Sequence, residues 1–135
     1  MTSSEFVGTW ALEAVSAKGS DGTVVLPSGD APKGFITYTA AGYIAAVVMR
    51  SGRTKFASGD ALGRGGTCEE IKEAVEGFEA YAGRYEFDDG TSVVTHYVDV
   101  AKPPNLKGSA LVRCARMGGA TLQLSTPEFA AMGQN

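Results

Sequence analysis

The sequence has few of the residues from which metal and thiol sites are built. It contains one histidine and two cysteines in 135 residues. His96 is not part of a clustered Cys, Asp or Glu pattern, so we predict no metal site. Cys68 and Cys114 lack a Cys-x-x-Cys spacing, and we expect two free thiols. The Gly-rich run around Arg64 lacks the Lys-Ser/Thr of a phosphate-binding loop, and no cofactor is expected.

Long apolar runs and an excess of positive charge are also missing. No apolar run approaches the roughly 20 residues that a membrane helix needs, so we expect no membrane partner. The net charge of −3 and the pI near 5.1 argue against nucleic acid, because phosphate binding needs a basic surface. The first residues, MTSSEFVGTW, show no basic region followed by an apolar core. We therefore expect no secretory signal and a cytoplasmic location.

Glycine, in contrast, is abundant. Eighteen glycines, together with Ser, Thr and Asp, separate short apolar runs along the chain. This pattern favours an all-β fold with many turns. A chain of 135 residues fits a single domain, residues 1–135.

Eight strands and one helix are predicted. The strands fall at residues 5–15, 23–26, 34–39, 43–50, 81–87, 92–100, 109–117 and 120–126. Between the fourth and fifth, Thr67 and Glu70 form a capping box ahead of an apolar stripe at helical spacing, Ile71, Ala74, Val75 and Phe78. Successive strands joined by short turns predict an eight-stranded antiparallel up-and-down barrel, with the helix inserted between strands four and five.

The connections carry several turn signals. Gly42 and the pair Asp89-Gly90 are expected to take the left-handed conformations of tight hairpins. The Gly-, Ser- and Arg-rich segment 51–66 is predicted to be a loop, and a role as a lid stays open. Phe129 and Met132 in the tail are candidates for docking on the outside of the barrel.

The first strand holds the only tryptophan. Trp10 shares one face with Gly8, Leu12 and Ala14. A large indole beside a glycine predicts a tightly packed end of the core, where another element approaches the backbone.

An ordered set of short motifs resembles the lipocalin-like domain of small bacterial and fungal proteins, within the wider calycin group. The motifs are Gly8-Thr9-Trp10, Gly34-Phe35-Ile36-Thr37-Tyr38, Gly42-Tyr43, Tyr81-Ala82-Gly83-Arg84-Tyr85, His96 in a Val-rich strand, Pro103-Pro104 with Gly108, Arg113, and Leu122-Gln123-Leu124. The resemblance implies a barrel with an internal pocket for a hydrophobic molecule. It also implies that Arg113, or in second place Arg116, packs beside Trp10. The inserted helix and the absence of a signal depart from secreted lipocalins and favour an intracellular role.

Alternation along the strands identifies the residues expected to face the interior. His96 falls with Val94, Val98 and Val100, and Tyr81, Gly83, Tyr85 and Phe87 share one face of their strand. Tyr38 and Leu111 are placed in the same way. The predicted ligand-binding set is Tyr38, Tyr81, Tyr85, Phe87, Val94, His96, Val98 and Leu111.

Two functions stay open at this point. The first is binding of a small hydrophobic or aromatic molecule, with Tyr, His and Arg side chains fixing its orientation. The second is a cofactor-independent cyclase, isomerase or lyase in the same pocket, with His96, Tyr85 and Arg113 as candidate catalytic residues. Arg113 either stacks on Trp10 or binds a carboxylate or enolate. The sequence leaves homodimer formation open.

Overall fold

The structure, a computed structural model, describes residues 2–59, 62 and 64–126. Its helices are α1 (Ser3–Phe6) and α2 (Cys68–Glu76), and a short 3-10 helix spans Pro104–Leu106. The strands are β1 (Gly8–Ala11), β2 (Ala17–Lys18), β3 (Val24–Val25), β4 (Lys33–Tyr38), β5 (Tyr43–Met49), β6 (Phe78–Asp88), β7 (Val93–Ala101), β8 (Ala110–Gly118) and β9 (Thr121–Ser125). The tail with Phe129 and Met132 lies outside the described residues. Over the described ranges, neither helix has the length and apolar character needed to cross a bilayer.

Seven strands form one antiparallel sheet in the order β1-β4-β5-β6-β7-β8-β9. The sheet curls into a nearly closed barrel, because Trp10 from one edge strand and Leu122 and Leu124 from the other pack on the same core cluster. The all-β prediction is confirmed. The barrel has seven strands and not the predicted eight, because the strand predicted at 23–26 pairs with β2 in a separate ribbon. Val24 and Val25 are 62% and 52% exposed, so neither side chain of this strand is buried in the barrel.

Helix α2 begins where the capping box predicts. The Thr67 hydroxyl accepts the N–H of Glu70 (3.1 Å), and the Glu70 carboxylate accepts the N–H groups of Thr67 (2.9 Å) and Ala57 (2.8 Å). These backbone hydrogen bonds lower the pKa of Glu70, and the one from Ala57 ties this residue to the start of the helix. In chain order α2 follows β5, so it joins the third and fourth strands of the barrel. Its apolar stripe is less buried than expected, with Ile71 45% and Val75 50% exposed.

The N-terminal segment differs from the predicted strand. Residues Ser3–Phe6 are helical, and β1 starts only at Gly8. Gly8 has a φ of +138°, and a Cβ atom at this position would meet nothing within 4 Å. The glycine is therefore needed for the backbone turn between helix and strand, and the predicted close approach of another element is wrong.

A β-bulge changes which residues of β7 face the interior. Gly83 pairs with Val98 and Ala82 pairs with Val100, which leaves Asp99 as an extra residue. A Cβ atom at Gly83 would lie 1.8 Å from the carbonyl oxygen of Tyr97, so only glycine fits where the strands approach. Val100 consequently points outward and is 67% exposed. The prediction that it lies on the face of His96 is wrong, because simple alternation does not account for the extra residue.

The left-handed turn residue is the predicted one in the β4–β5 hairpin and a different one in the β6–β7 hairpin. Gly42 has a φ of +97°, as expected for the β4–β5 turn. In the β6–β7 turn the left-handed residue is Ser92 (φ 57°), whereas the N–H of Gly90 is donated to the Asp88 carboxylate (2.8 Å). The turn occupies four residues, 89–92, and a connection of this length places its left-handed residue at the end.

Candidate functional site

On two strands of the barrel, the exposure of the inward-facing side chains changes from one end to the other. The end carrying the tight β4–β5, β6–β7 and β8–β9 turns is called the hairpin end, and the opposite end, with the β1–β4, β5–β6 and β7–β8 connections, the loop end. On β5, Ile44 and Ala46 are 2% and 8% exposed, whereas Val48, closer to the loop end, is half-buried. On β4, Tyr38 is buried and Ile36 is half-buried in the same order. On these two strands the inward-facing side chains therefore become more exposed toward the loop end.

Phe6 closes the hairpin end. Its side chain is fully buried, and its ring centroid lies 4.7 Å from those of Tyr38 and Phe87 and 5.8 Å from that of Tyr85. The Trp10 indole N–H donates to the Phe6 carbonyl oxygen (2.8 Å), which fixes the segment to β1. The sequence-based site did not include Phe6. The signal that would have found it is a second capping box, Thr2-x-x-Glu5, in which the Glu5 carboxylate accepts the N–H of Thr2 (2.9 Å).

His96 lies at the centre of the interior and is 1% exposed, as its position on β7 predicts. Both ring nitrogens are hydrogen-bonded to tyrosine hydroxyls. Tyr38 Oη lies 2.6 Å from Nε2, and Tyr81 Oη lies 2.8 Å from Nδ1. Tyr38 comes from β4 and Tyr81 from β6, so three strands hold this group in place.

Burial keeps all three members uncharged at neutral pH. Removal from water lowers the pKa of His96 to about 4, and the positive charge of Arg113 contributes in the same direction. Burial likewise raises the pKa of Tyr38 and of Tyr81. A neutral imidazole has one N–H donor and one nitrogen that accepts, so His96 donates to one tyrosine and accepts from the other.

Arg113 approaches this group from β8. It pairs with Val94, is half-buried, and donates from Nη1 to the carbonyl oxygen of Val112 (2.9 Å). Burial raises the pKa of Tyr81, and the positive charge of Arg113 offsets part of that rise. No carboxylate among the described residues forms an ion pair with Arg113. Within the described residues, its charge therefore has no compensating carboxylate.

The expected stacking of Arg113 on Trp10 is not observed. The Trp10 indole N–H is used by the Phe6 carbonyl, and the one cation–π contact within the described residues joins Arg53 to Phe78, 5.5 Å from the ring centroid. The other expectation for Arg113, that it binds a carboxylate or enolate in the pocket, stays a prediction.

Tyr85 faces inward, but its hydroxyl is engaged elsewhere. It donates to the carbonyl oxygen of Thr39 in the β4–β5 turn (2.7 Å), and the ring packs against Tyr38 at 4.9 Å. Tyr85 is the cross-strand partner of His96, but within the described residues its hydroxyl anchors the hairpin end and makes no hydrogen bond to the imidazole.

The remaining members of the predicted set divide between two levels. Phe87 and Val94 pack with Phe6 in the core cluster at the hairpin end. Val98 and Leu111 lie closer to the loop end, where Leu111 is paired with His96 across β7 and β8. The structure thus brings together Tyr38, Tyr81, His96, Val98 and Leu111. Tyr85 is the cross-strand neighbour of His96, whereas Phe87 and Val94 lie closer to the hairpin end.

Other features of the chain do not contribute to this site. No three His, Cys, Asp or Glu residues in the described part of the chain are placed to hold a metal ion. Cys68 is exposed, Cys114 is half-buried, and both are free thiols. Two surface depressions lie on the β6–β7 turn (residues 86–95) and beside β8 and β9 (Cys114 to Arg116 with Gln123 and Ser125), and neither is lined by His96.

Comparison with protein families matches residues 7–134 to a lipocalin-like domain. No curated protein and no solved structure matched the chain. The family match covers nearly the whole sequence, and the observed antiparallel barrel agrees with it. The chain therefore belongs to the family of proteins with a lipocalin-like domain.

Proposed function

We propose that this protein binds a small hydrophobic or aromatic molecule inside the barrel, on the loop-end side of His96 and Tyr81. The observation that carries the proposal is a buried histidine, hydrogen-bonded to two tyrosines, beside inward-facing side chains of β4 and β5 that become more exposed toward the loop end. Apolar walls with a few convergent polar groups are typical of small-molecule sites.

The loop end also offers an apolar entrance. Several large hydrophobic side chains in its connections are 45–62% exposed, namely Val24, Val25, Leu26, Ile71 and Val75. They belong to the ribbon of β2 and β3, the turn after it, and helix α2. Exposed apolar residues in the connections of this end suit the entry of a hydrophobic ligand.

Filling the interior should weaken binding. Val48 faces inward near the loop end, so a Val48→Phe substitution adds side-chain volume where the ligand is expected. Overpacking of this kind is expected to weaken binding about 5-fold or more. The measurement is a fluorescence titration with N-phenyl-1-naphthylamine, an uncharged probe that brightens in apolar surroundings.

The matched control is the neighbouring residue on the same strand. Val47 points outward and is 40% exposed, so Val47→Phe adds the same volume outside the barrel and should leave probe affinity unchanged. Thermal unfolding of both variants verifies that each is folded. A wild-type protein that does not bind the probe, or equal losses in the two variants, would contradict binding in the interior.

The second candidate function is a cofactor-independent cyclase, isomerase or lyase. It is favoured by the two hydrogen bonds of His96, because a histidine held through both nitrogens is oriented for proton transfer. In this alternative a proton moves between the substrate and the Tyr81–His96 pair, and Arg113 stabilises the oxyanion. We assign the catalytic role predicted for Tyr85 to Tyr81, because the Tyr85 hydroxyl donates its hydrogen bond to the carbonyl oxygen of Thr39.

Proton exchange separates the two candidates. The methyl hydrogens of acetophenone exchange with deuterium when a base forms the enolate, and NMR in deuterium oxide follows the loss of signal. An enzyme of the proposed kind accelerates this exchange above the buffer rate, and His96→Gln abolishes the acceleration. Exchange at the buffer rate, with acetophenone bound, contradicts the enzyme and supports a binding protein.

A further inference from the structure

The group formed by Tyr38, His96 and Tyr81 carries one more proton than its own hydrogen bonds use. In the neutral state it contains two phenol O–H protons and one imidazole N–H. The group has two internal hydrogen bonds, of 2.6 Å and 2.8 Å, and each uses one proton. The third proton belongs to one of the two phenols and has to be donated outside the group.

The surroundings decide which phenol holds it. Tyr38 is 1% exposed and is enclosed by the rings of Phe6 at 4.7 Å and Tyr85 at 4.9 Å. Within the described residues the Tyr38 hydroxyl has no hydrogen-bond partner besides His96, so a spare O–H in this buried position would be unsatisfied, which is unfavourable. Tyr81 is half-buried and lies closer to the accessible end. Tyr38 therefore donates to Nε2, the Nδ1–H of His96 donates to Tyr81, and the Tyr81 O–H is the free donor.

We infer that the Tyr81 hydroxyl determines ligand specificity by donating a hydrogen bond to a carbonyl oxygen of the molecule bound in the barrel. This inference rests on the proposed function and adds the chemical class of the ligand, an apolar or aromatic ketone or aldehyde. The positive charge of Arg113, on the strand next to that of His96, also favours an acceptor oxygen with partial negative charge. A purely hydrocarbon ligand would leave the Tyr81 O–H without an acceptor, because Tyr81 Oη has no protein partner besides His96 within the described residues.

The first test needs no ligand. Because His96 is the single histidine, a ¹⁵N-labelled sample gives one set of imidazole signals, and correlations from the ring protons show which nitrogen is protonated. The expected result at pH 7 is the Nδ1–H tautomer. The Nε2–H tautomer would make Tyr81 the donor to His96 and would overturn the inference.

The second test compares two probes of the same shape. Acetophenone and ethylbenzene differ mainly in the carbonyl oxygen, and binding is followed by chemical-shift titration of the ¹⁵N-labelled protein. Wild type is expected to bind acetophenone about 3- to 10-fold more tightly, as one net hydrogen bond predicts. Tyr81→Phe should remove this preference and leave ethylbenzene affinity within about 2-fold.

Tyr97→Phe is the matched control. This tyrosine lies on the outer face, and its hydroxyl donates to Glu86 (2.8 Å), so its loss should not alter the preference. Equal affinities for the two probes in wild type, or an unchanged preference in Tyr81→Phe, would overturn the inference while leaving interior binding intact. Failure of both probes and of N-phenyl-1-naphthylamine to bind would overturn the proposed function, and this inference with it.

Discussion

Phe6→Ala is expected to lower the free energy of unfolding by about 3–5 kcal/mol, the usual range for removing a buried phenylalanine. The side chain is 0% exposed and contacts three aromatic rings, so the substitution leaves a cavity that rigid neighbours do not fill. Urea unfolding monitored by the fluorescence of Trp10 measures the change. Trp10 is a suitable reporter because its indole is hydrogen-bonded to the same segment.

A second phenylalanine on the outside provides the control. Phe35 lies on β4 and is 56% exposed, so Phe35→Ala removes the same atoms from a site that is already solvated. Its expected cost is about 0.5 kcal/mol, as for most surface substitutions. Similar costs for the two variants would mean that α1 does not hold Phe6 in the barrel.

The placement of Phe6 shows one limit of the sequence. The inward-facing residues of the long strands follow from alternation, because a period of two specifies the face of every residue once one face is buried. Phe6 instead belongs to a four-residue helix, which is too short to show a helical apolar period. Only the capping residues Thr2 and Glu5 signal this helix, and the strand pattern after Val7 obscures them.

Local pattern also does not reveal contacts made across the barrel. Alternation predicts that His96 and Tyr38 face inward, but they are 58 residues apart, and their hydrogen bond depends on strand order and register together. The bulge at Asp99 could not be predicted either, because the extra residue is visible only in the pairing of β6 with β7. The resemblance predicts the family and the barrel. The partners of Arg113 could not be predicted from the sequence, because they depend on how β7 and β8 pair.

The second large effect is on the pH dependence of stability. The pKa of His96 is near 6.5 in the unfolded chain, and burial lowers it to about 4 in the folded protein. Between these values the unfolded state binds more protons, so the free energy of unfolding falls as the pH falls from 6.5 to 4, by about 3 kcal/mol in total. Above pH 6.5 this group contributes no pH dependence. Between pH 7 and 5 the loss should reach about 2 kcal/mol, in a range where most carboxylates stay ionised.

Urea unfolding at pH 7, 6 and 5 measures this loss, and a double variant isolates its origin. His96→Leu alone would leave the Tyr38 hydroxyl buried without an acceptor, so Tyr38→Phe is combined with it to remove both partners. Because the chain has one histidine, the double variant should show almost no change between pH 7 and 5. A wild-type protein whose stability is equally flat would mean that folded His96 takes up a proton as readily as the unfolded chain. A histidine of that kind would be in contact with water, and neither the buried hydrogen-bonded group nor the binding site built on it would stand.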